Sequence, residues 1–377
     1  MIALQSKGLP SRIAETIVGR IIPDRESKSS FYVSKESIDG FDPLNSRIDC
    51  LLTTSDNAGS IGDHSSITKL PGLGHLSAGD IVSIDPSGLV RTVFRLESHH
   101  NAFFVTDRCN SKCLMCSQPP RNIDDIDYHH NINIQMLDLI PRSTEQIGIT
   151  GGEPTLLGPK LLELLRKSST NLPDTGIHML SNGRAFAWRD FTREFAGIND
   201  RLVVGIPLYA DNSPDHDYIV QARDAFTQTI LGLHNLERYG IQIEIRIVLH
   251  KLTYTRLPKL ARFIYRNLPF VDHVAFMGLE YVGYTPHNHD LLWIEPGEYM
   301  NQLDEAISYL TTVGMNCSIY NLQHCLLREK LWQYSRKSIS DWKRDYPKEC
   351  KGCTKIDDCG GVFSTSRRLS KELSPIF

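Results

Sequence analysis

The hydrophobic pattern is most regular in the segment IQIEIRIVLH, residues 241–250, where aliphatic and mixed positions alternate. Successive side chains of a β-strand point to opposite faces. The purely aliphatic face predicts packing against helices, so the other face, with Glu244, Arg246 and His250, is expected to line the interior of a barrel. Glu244 and Arg246 either neutralise each other there, or Arg246 is free to bind an anionic ligand.

The segment RLVVGIPLYAD, residues 201–211, divides in the same way and turns Gly205 and Tyr209 inward. Gly205 either leaves room for a ligand or relieves crowding in a narrow barrel. Tyr209 and Asp211 are expected at the barrel rim. With His250 they are candidate catalytic residues, as proton acceptors or radical quenchers, although each also fits a role as a loop residue.

Strand and helix patterns alternate between residues 99 and 295, which predicts a parallel sheet with helices outside it. The predicted strands are 102–106, 145–150, 176–181, 202–209, 241–250 and 271–279, and the predicted helices are 132–140, 158–169, 188–196, 220–239 and 256–267. Residues 1–98 are rich in Ser, Asp, Gly and Pro and predict a small β-rich domain, as an open barrel. Residues 296–377 form the third predicted segment, a helix followed by a cysteine-rich stretch.

Length and composition add limits to this picture. The 377 residues suggest two or three domains, and 41% hydrophobic residues suffice for a large core. The net charge of −3 argues against nucleic acid or a membrane surface as a partner. No apolar run of about 18 residues and no signal-peptide pattern is found, which predicts a cytoplasmic protein. Nine cysteines in that setting indicate metal binding rather than disulfides.

Three of these cysteines, Cys109, Cys113 and Cys116, stand in the run CNSKCLMC with the spacing Cys-x3-Cys-x2-Cys. Three thiolates suit three corners of an iron–sulfur cube whose fourth iron has no protein ligand. Such an iron can bind a small molecule and pass it an electron. The alternatives are a zinc site or three unrelated thiols.

A second motif, Gly151-Gly152-Glu153-Pro154, follows the predicted strand QIGIT. Paired glycines allow a ligand to approach the backbone, and the Glu153 carboxylate can accept a hydrogen bond from an ammonium group. A third motif, Ser181-Asn182-Gly183, ends the next predicted strand and is a favourable turn in any fold.

Together the three motifs resemble those of the radical SAM superfamily. The resemblance implies a partial (β/α)6 barrel and a [4Fe–4S] cluster on Cys109, Cys113 and Cys116 that binds S-adenosylmethionine (SAM). It also implies reductive cleavage of SAM to a 5′-deoxyadenosyl radical. The residues it assigns to SAM are Gly151, Gly152, Glu153, Ser181 and Asn182. The strand pattern adds the inward-facing Gly205 and Arg246 as candidates, with Arg246 on the carboxylate of SAM.

A second group of cysteines lies between residues 317 and 359 and ends in the spacing Cys-x2-Cys-x5-Cys. This resembles the twitch and SPASM subdomains, which bind auxiliary [4Fe–4S] clusters. The resemblance implies ligation by Cys350, Cys353, Cys359 and one upstream cysteine, for which Cys325 is preferred over Cys317. Four thiolates also suit a structural zinc ion. Cys50 and the spare upstream cysteine are expected to pack in the core.

The pieces FVTDRCNSKCLMCSQPP, GITGGEPTLLG, SNGRAF, SISDWKRDYPKECKGC and CGGVFS together resemble the HxsC-type maturases of His-Xaa-Ser systems. The resemblance covers roughly residues 75–370. It implies a peptide-modifying enzyme that acts on a ribosomally made precursor, alongside a second radical SAM maturase and with an electron donor such as flavodoxin or ferredoxin. The alternatives are a radical SAM enzyme for a small molecule or a sulfatase-type protein, and a non-catalytic iron–sulfur partner protein.

Overall fold

The computed structural model of this chain describes residues 4–23, 30–35, 48–56 and 65–377. The strands are β1 Gln5–Lys7, β2 Leu9–Ser11, β3 Ile17–Pro23, β4 Ser30–Ser34, β5 Cys50–Thr53, β6 Ser65–Thr68, β7 Ile81–Ile84, β8 Leu89–Phe94, β9 Ala102–Phe104, β10 Gln146–Thr150, β11 Gly176–Leu180, β12 Leu202–Pro207, β13 Gln242–Leu249, β14 His273–Gly278, β15 Cys317–Tyr320, β16 Arg344–Asp345 and β17 Val362–Phe363. The α-helices are α1 Ile126–Leu137, α2 Pro159–Asn171, α3 Arg189–Arg193, α4 Ser213–Val220, α5 Ala225–Arg238, α6 Leu257–Asn267, α7 His289–Leu292 and α8 Pro296–Thr312.

Strands β1 to β8 form the predicted β-rich N-terminal domain, in the spatial order β1-β8-β7-β3-β4-β5-β6-β2. The strands at the two edges, β1 and β2, are consecutive in the chain and separated only by Gly8. Because β1 pairs with β8 and β2 pairs with β6, the run 5–11 joins both edges and closes the sheet. A Cβ atom at Gly8 would lie 2.4 Å from the Thr68 carbonyl oxygen. The domain is therefore a closed barrel rather than the open one expected.

This N-terminal barrel is packed on the rest of the protein. Val18, Ile81 and Phe94 belong to the same buried cluster as Met136 of α1. Burial of these apolar side chains removes them from water, which is the main stabilising contribution at such a contact. Arg20, from β3, adds a hydrogen bond to the carbonyl oxygen of Leu139, just after α1.

The main sheet has seven strands in the order β15-β14-β13-β12-β11-β10-β9, and each neighbouring pair is parallel. The predicted α/β architecture with a parallel sheet is confirmed. The sheet extends beyond the predicted boundary at residue 295, because α8 leads into β15, which pairs with β14. The alternation of apolar residues did not reveal this seventh strand as part of the sheet, since pairing depends on contacts distant in sequence.

The largest differences from the predicted helix bounds concern α1 and the region of α4 and α5. Helix α1 begins at Ile126, earlier than expected. The predicted helix 220–239 begins only at Ala225, as α5, and a separate helix α4 ends at Val220, because Gln221 and Asp224 adopt left-handed backbone conformations with φ of 53° and 57°. Among the described residues, no helix is long and apolar enough to cross a membrane.

Little regular structure follows β15. Strands β16 and β17 form one short antiparallel pair, in which Arg344 faces Phe363 and Asp345 faces Val362. The remainder of this C-terminal segment consists of single turns and loops. These loops carry four of the nine cysteines.

Candidate active site

The loop with Cys109, Cys113 and Cys116 follows β9 at the carboxyl end of the parallel sheet, where the chemistry of such folds is found. Backbone hydrogen bonds hold it from two sides. The Leu114 N–H donates to the Ile219 carbonyl oxygen at 2.9 Å, and the Cys116 carbonyl oxygen accepts from the Tyr284 N–H at 2.9 Å. The loop is thus anchored to α4 and to the segment after β14.

The three thiols of this loop influence one another's ionisation. Burial raises the pKa of Cys113 far above its ordinary value, and the charges of Cys116 and Cys109 raise it further. Burial likewise raises the pKa of Cys109 to about 11, with contributions from Glu153 and Cys116. Negative charge on one thiolate therefore disfavours ionisation of the others, and binding of a cation would relieve this repulsion.

The donor set fits an iron–sulfur cluster. Among the described residues, no group of three or more His, Cys, Asp or Glu side chains is close enough to hold a single metal ion. A cube does not require that closeness, because each cysteine binds a different iron. Three neighbouring soft thiolates are the ligands that such clusters take.

The Gly151-Gly152-Glu153 motif is packed against the base of the cysteine loop. The Glu153 N–H donates to the Arg108 carbonyl oxygen at 2.8 Å. A Cβ atom at position 152 would lie only 2.0 Å from that same oxygen, so only glycine permits this contact. The motif therefore fixes the residue that precedes Cys109.

The carboxylate of Glu153 is not presented to a ligand. It is 0% exposed and accepts four hydrogen bonds. Thr155 donates from its N–H at 3.0 Å and its hydroxyl at 2.6 Å, the Ser181 hydroxyl donates at 2.8 Å, and the Asn182 N–H donates at 2.7 Å. The Glu153 side chain thus connects its own turn to the turn after β11. Contacts of the motif with SAM would be made by backbone atoms of Gly151 and Gly152.

The turn after β11 completes the support of the cysteine loop. The Asn182 amide donates to the Asn110 side-chain oxygen at 2.6 Å and lies 4.0 Å from the Cys109 sulfur. Arg184 donates to the Asn110 carbonyl oxygen at 2.6 Å and to the Ser111 hydroxyl at 3.1 Å. Sequence reasoning missed Arg184, although it directly follows the Ser-Asn-Gly turn. Its positive charge lowers the pKa of Cys113 against the larger effect of burial.

The inward faces of β12 and β13 are as the alternation predicted. Arg246 and Glu244 form an ion pair with an N–O distance of 2.5 Å, which is the first of the two roles considered for them. The Glu244 carboxylate is also 2.9 Å from His273. Burial alone would raise the Glu244 pKa, but contacts with His178 and His273 and the charge of Arg246 hold it well below its usual range. Gly205 makes room, since its Cβ would lie 3.1 Å from Arg246 and His178 atoms.

The three candidate catalytic residues occupy different environments. Burial raises the pKa of Tyr209 well above its ordinary value, and the charges of Cys113 and Cys116 raise it further. Tyr209 belongs to a buried cluster with Met115, against which Cys113 packs. His250 is 0% exposed, and burial lowers its pKa to about 3, so its ring is neutral. Its two ring nitrogens have no hydrogen-bond partner among the described residues.

Asp211 is differently placed. Its two carboxylate oxygens accept from the Arg256 guanidinium at 2.7 and 2.8 Å. Such a bidentate pair is among the stronger side-chain interactions and fixes both groups. Asp211 therefore anchors the loop after β12 to the start of α6, and both of its carboxylate oxygens already accept hydrogen bonds from Arg256.

A cavity of about 1090 Å³ opens beside this site. It runs from Ser117 and Gln118, next to Cys116, along the inner sides of β9 to β11. Its far wall belongs to the N-terminal barrel and includes Gln5 and Arg91. The barrel and the main sheet thus share one cleft.

The second cysteine group is also brought together. Burial raises the pKa of Cys350, and the charges of Cys325, Cys359 and Cys353 raise it further. Cys317 is instead on β15, 7% exposed and packed in the main core. Burial raises its pKa to about 11, without a contribution from another thiol.

Cys50 lies apart from both groups, in the core of the N-terminal barrel. The loop between residues 372 and 377 covers the second group. The Ile376 N–H donates to the Cys353 sulfur at 3.4 Å, and the Ile376 carbonyl oxygen accepts from the Thr354 N–H at 2.8 Å. A backbone hydrogen bond from Ser374 lowers the pKa of Cys325 against the effect of burial.

Comparison with known proteins agrees with this geometry. Residues 103–264 match the family described as the radical SAM superfamily, so the chain contains the domain of radical SAM enzymes. This domain covers β9 to α6, including the cysteine loop.

Two curated relatives are similar over parts of the chain. GTP 3′,8-cyclase of Desulforamulus reducens is 32% identical over 100 residues, 25% of this chain and 30% of that protein. Fe-coproporphyrin III synthase of Methanosarcina barkeri is 22% identical over 231 residues, 59% of this chain and 55% of that protein. The chain thus spans about a third to a half of these relatives.

Among solved structures, Streptococcus suis SuiB bound to its precursor peptide SuiA is similar at 16% identity and a TM-score of 0.47. The likeness covers 62% of this chain and 50% of that one. At these values the likeness does not bear on function.

Proposed function

We propose that this chain is a radical SAM maturase that modifies a ribosomally made precursor peptide of the His-Xaa-Ser kind. The observation that supports a peptide substrate is the cleft between the cysteine loop and the N-terminal barrel. Its volume of about 1090 Å³ is at the upper end of the range of about 300–1,000 Å³ typical of small-molecule pockets. The cleft therefore has room for a segment of extended polypeptide beside SAM.

In this proposal Cys109, Cys113 and Cys116 hold a [4Fe–4S] cluster. When bound, the cluster and SAM supply a 5′-deoxyadenosyl radical that abstracts a hydrogen atom from the peptide. Gly151, Gly152, Ser181, Asn182 and Gly205 line the SAM site. Arg246 binds the SAM carboxylate while it remains paired with Glu244.

The groups beside the thiols have distinct roles in the proposal. Tyr209, a buried neutral phenol, is the stronger candidate for quenching a radical. His250 excludes water because its ring is fully buried. The ring remains neutral near neutral pH because burial lowers its pKa to about 3. Asp211 keeps the rim in place through Arg256 rather than accepting a proton.

The second cysteine group is proposed to hold an auxiliary [4Fe–4S] cluster on Cys325, Cys350, Cys353 and Cys359. Four thiolates leave no iron open, so this cluster transfers electrons or supports the peptide-binding wall. The proposed partners are the precursor peptide, a second radical SAM maturase, and an electron donor such as flavodoxin or ferredoxin.

The test is an anaerobic assay of the reconstituted protein with SAM, a reductant and the precursor peptide encoded beside its gene. We expect 5′-deoxyadenosine and a peptide that has lost hydrogen, both detected by mass spectrometry. The Cys109/Cys113/Cys116→Ala protein is the matched control. An unchanged peptide, with 5′-deoxyadenosine formed equally without it, would contradict the peptide function.

A radical SAM enzyme for a small molecule is the second candidate. The observation in its favour is the match to GTP 3′,8-cyclase and Fe-coproporphyrin III synthase, whose names indicate small-molecule products. Dependence of SAM cleavage on GTP or a porphyrin, and not on peptide, would select it.

A further inference from the structure

A peptide that loses hydrogen must give a proton to some group of the protein. The three candidate catalytic residues are poorly suited to take it. Both carboxylate oxygens of Asp211 accept from a guanidinium, His250 is enclosed by protein, and burial favours the neutral phenol of Tyr209. The wall of the cleft contains another group, the pair of Asp125 and His129.

Asp125 is fixed to the backbone that leads into the cysteine loop. It precedes helix α1 and is 7% exposed. Its Oδ1 accepts from the Thr106 hydroxyl at 2.6 Å, and its Oδ2 accepts from the Asp107 N–H at 2.7 Å. The Thr106 carbonyl oxygen in turn accepts from the Gly152 N–H at 2.6 Å. The carboxylate therefore has a fixed position between α1 and the segment that carries Cys109.

His129 lies one helical turn after Asp125, so its ring comes next to that carboxylate. The distance from His129 Nε2 to Asp125 Oδ2 is 3.6 Å. The rings of Phe104 and Tyr128 pack edge-on against the imidazole, with centres 4.9 and 5.1 Å away. A carboxylate beside Nε2 favours the neutral tautomer with its hydrogen on Nε2, which leaves the lone pair on Nδ1.

The Nδ1 atom of His129 is accessible. It has no hydrogen-bond partner among the residues that the structure describes, and it is not one of their unpartnered buried atoms. The side chain lines the cleft together with Ser117 and Gln118, which directly follow Cys116. A peptide in the cleft can therefore reach a free lone pair close to the cysteine loop.

The next residue, His130, is held in a different way. Its Nε2 is 3.1 Å from the carboxylate of Glu163 on α2, and its Nδ1 is buried without a partner. Two adjacent histidines of one helix thus have different environments. Only the first of them turns to the cleft.

We infer that His129 is the base that accepts a proton from the peptide, at Nδ1, and that Asp125 is its positioning residue. This inference rests on the proposed peptide function. The peptide first gives one hydrogen atom to the deoxyadenosyl radical, which becomes 5′-deoxyadenosine and is reduced by one electron. A bond between hydrogen and an oxygen, nitrogen or sulfur atom of the peptide then breaks. Its electron pair forms the new bond to the carbon radical, its proton goes to Nδ1, and the one remaining electron passes to the oxidised auxiliary cluster.

The charges around His129 predict how this step depends on pH. Burial lowers the pKa of His129 from its ordinary 6.5, Asp125 and Asp107 act against this, and Arg91 of the N-terminal barrel lowers it further. Arg91 is held near the ring by the Tyr128 hydroxyl, to which it donates at 2.9 Å. The ring is therefore neutral at pH 7 and able to accept a proton. Product formation should fall as the pH drops below 6.5, where protonation removes the lone pair.

The experiment uses reconstituted full-length protein with SAM, a reductant and the precursor peptide. His129→Gln keeps a polar side chain that takes up no proton, and His234→Gln, at an exposed position of α5, is the matched control. In a single turnover we expect His129→Gln to lower the yield of modified peptide about a hundredfold, as for loss of a general base. Iron content and peptide-dependent 5′-deoxyadenosine should stay within about twofold of wild type, because hydrogen abstraction precedes the proton transfer.

Two further measurements separate a base from a structural residue. Added imidazole should restore product formation at least tenfold in His129→Ala, because it can occupy the vacated space and accept the proton. In Asp125→Asn, the loss of the neighbouring charge should lower the pKa of His129 further, so the fall in product formation should begin at a lower pH. NMR of histidine rings in the full-length protein before reconstitution measures this pKa directly, with the His129 signal assigned by its absence in His129→Gln.

Equal yields of modified peptide in His129→Gln and wild type would overturn the inference and leave the proposed function intact. Loss of iron or of 5′-deoxyadenosine in His129→Gln, without rescue of His129→Ala by imidazole, would also overturn it and assign His129 a structural role. A peptide that wild-type protein leaves unchanged would contradict the proposed function and the base together.

Discussion

The loop of Cys109, Cys113 and Cys116 and the group of Cys325, Cys350, Cys353 and Cys359 are supported by different kinds of structure. The first lies at the end of a seven-stranded sheet and is tied to it by the Glu153 N–H, which donates to the Arg108 carbonyl oxygen, and by the Arg184 guanidinium. The second lies among single turns and one two-stranded pair. The comparison predicts that the first site is formed before its cluster binds. The second site, in contrast, is expected to become well ordered only when its metal is bound.

The strongest test of the first site removes its ligands. Changing Cys109, Cys113 and Cys116 together to Ala should remove about four irons per chain and all SAM cleavage, since three thiolates hold the cube. The fold should persist, because the sheet does not depend on the cluster. Iron analysis, 5′-deoxyadenosine assay and circular dichroism check this. Full retention of 5′-deoxyadenosine formation would refute the assignment.

The matching test of the second site separates Cys325 from Cys317. In the triple-alanine background, Cys325→Ala should lose or destabilise the remaining cluster, whereas Cys317→Ala should not. The reason is that the charges of Cys359 and Cys353 raise the pKa of Cys325 and the charge of Cys325 raises that of Cys350, whereas no thiol affects the pKa of Cys317. Stoichiometric zinc after anaerobic reconstitution would favour a zinc site.

A consequence for activity follows in otherwise wild-type protein. Cys325→Ala should abolish the peptide product while SAM cleavage remains, because the first cluster is built on separate elements. Protease resistance of residues 325–377 should fall at the same time. Unchanged resistance would mean that this segment is as well ordered without metal as the first site.

The histidine beneath the first site makes stability depend on pH. Because His250 has a pKa of about 3 when folded, against about 6.5 when unfolded, only the unfolded chain takes up a proton as pH falls below 6.5. The contribution of neutral His250 to the free energy of unfolding is complete above pH 6.5 and is lost progressively as the pH falls to 3. At pH 5 about 2 kcal/mol has been lost. His250→Leu should remove this share of the fall in unfolding free energy between pH 7 and 5. An identical fall in both proteins would contradict it.

The ion pair between Arg246 and Glu244 on β13 gives a smaller effect. Arg246→Ala should weaken SAM binding about tenfold, the loss expected for one charge-assisted contact of about 1.5 kcal/mol, with iron content unchanged. Equilibrium binding of SAM measures this. Unaltered affinity would leave Arg246 as a partner of Glu244 alone.

The smallest predicted effect concerns the hydrogen bond from Ile376 to the Cys353 sulfur. Ile376→Pro removes the donor, and a reduced, more negative cluster loses more from this than an oxidised one. The potential of the auxiliary cluster should fall by roughly 20–60 mV, equivalent to about 0.5–1.5 kcal/mol for one electron. Ile376→Val, which keeps the N–H, is the control, and a redox titration followed by EPR is the measurement.

Sequence patterns predicted what depends on neighbouring residues. The alternation in β12 and β13 identified the inward positions of Gly205 and Arg246 because side-chain direction is a local property of a strand. The spacing of Cys109, Cys113 and Cys116 is also a local property of the chain, and the cluster on these residues stays a prediction. Neither prediction required knowledge of which segments lie opposite these residues in the main sheet.

Contacts between distant segments were beyond such patterns. The carboxylate of Glu153 was expected to meet a ligand, but its burial depends on Ser181 and Asn182, which lie on another strand end. The role of Arg184 likewise depends on where Asn110 falls. The position of β15 depended on pairing with β14, and the closed barrel depended on the pairing of residues 5–11 with two separate strands.

The order of the main sheet has a consequence for how the protein is made. From β9 to β15, every strand pairs with the strand that came immediately before it in the chain. A nascent chain leaving the ribosome can therefore extend the sheet one strand at a time, without waiting for a distant segment to be synthesised. Because β15 is synthesised last, the edge of β14 that pairs with β15 stays exposed until synthesis has passed residue 320. A chaperone that covers this edge would be most useful during that interval.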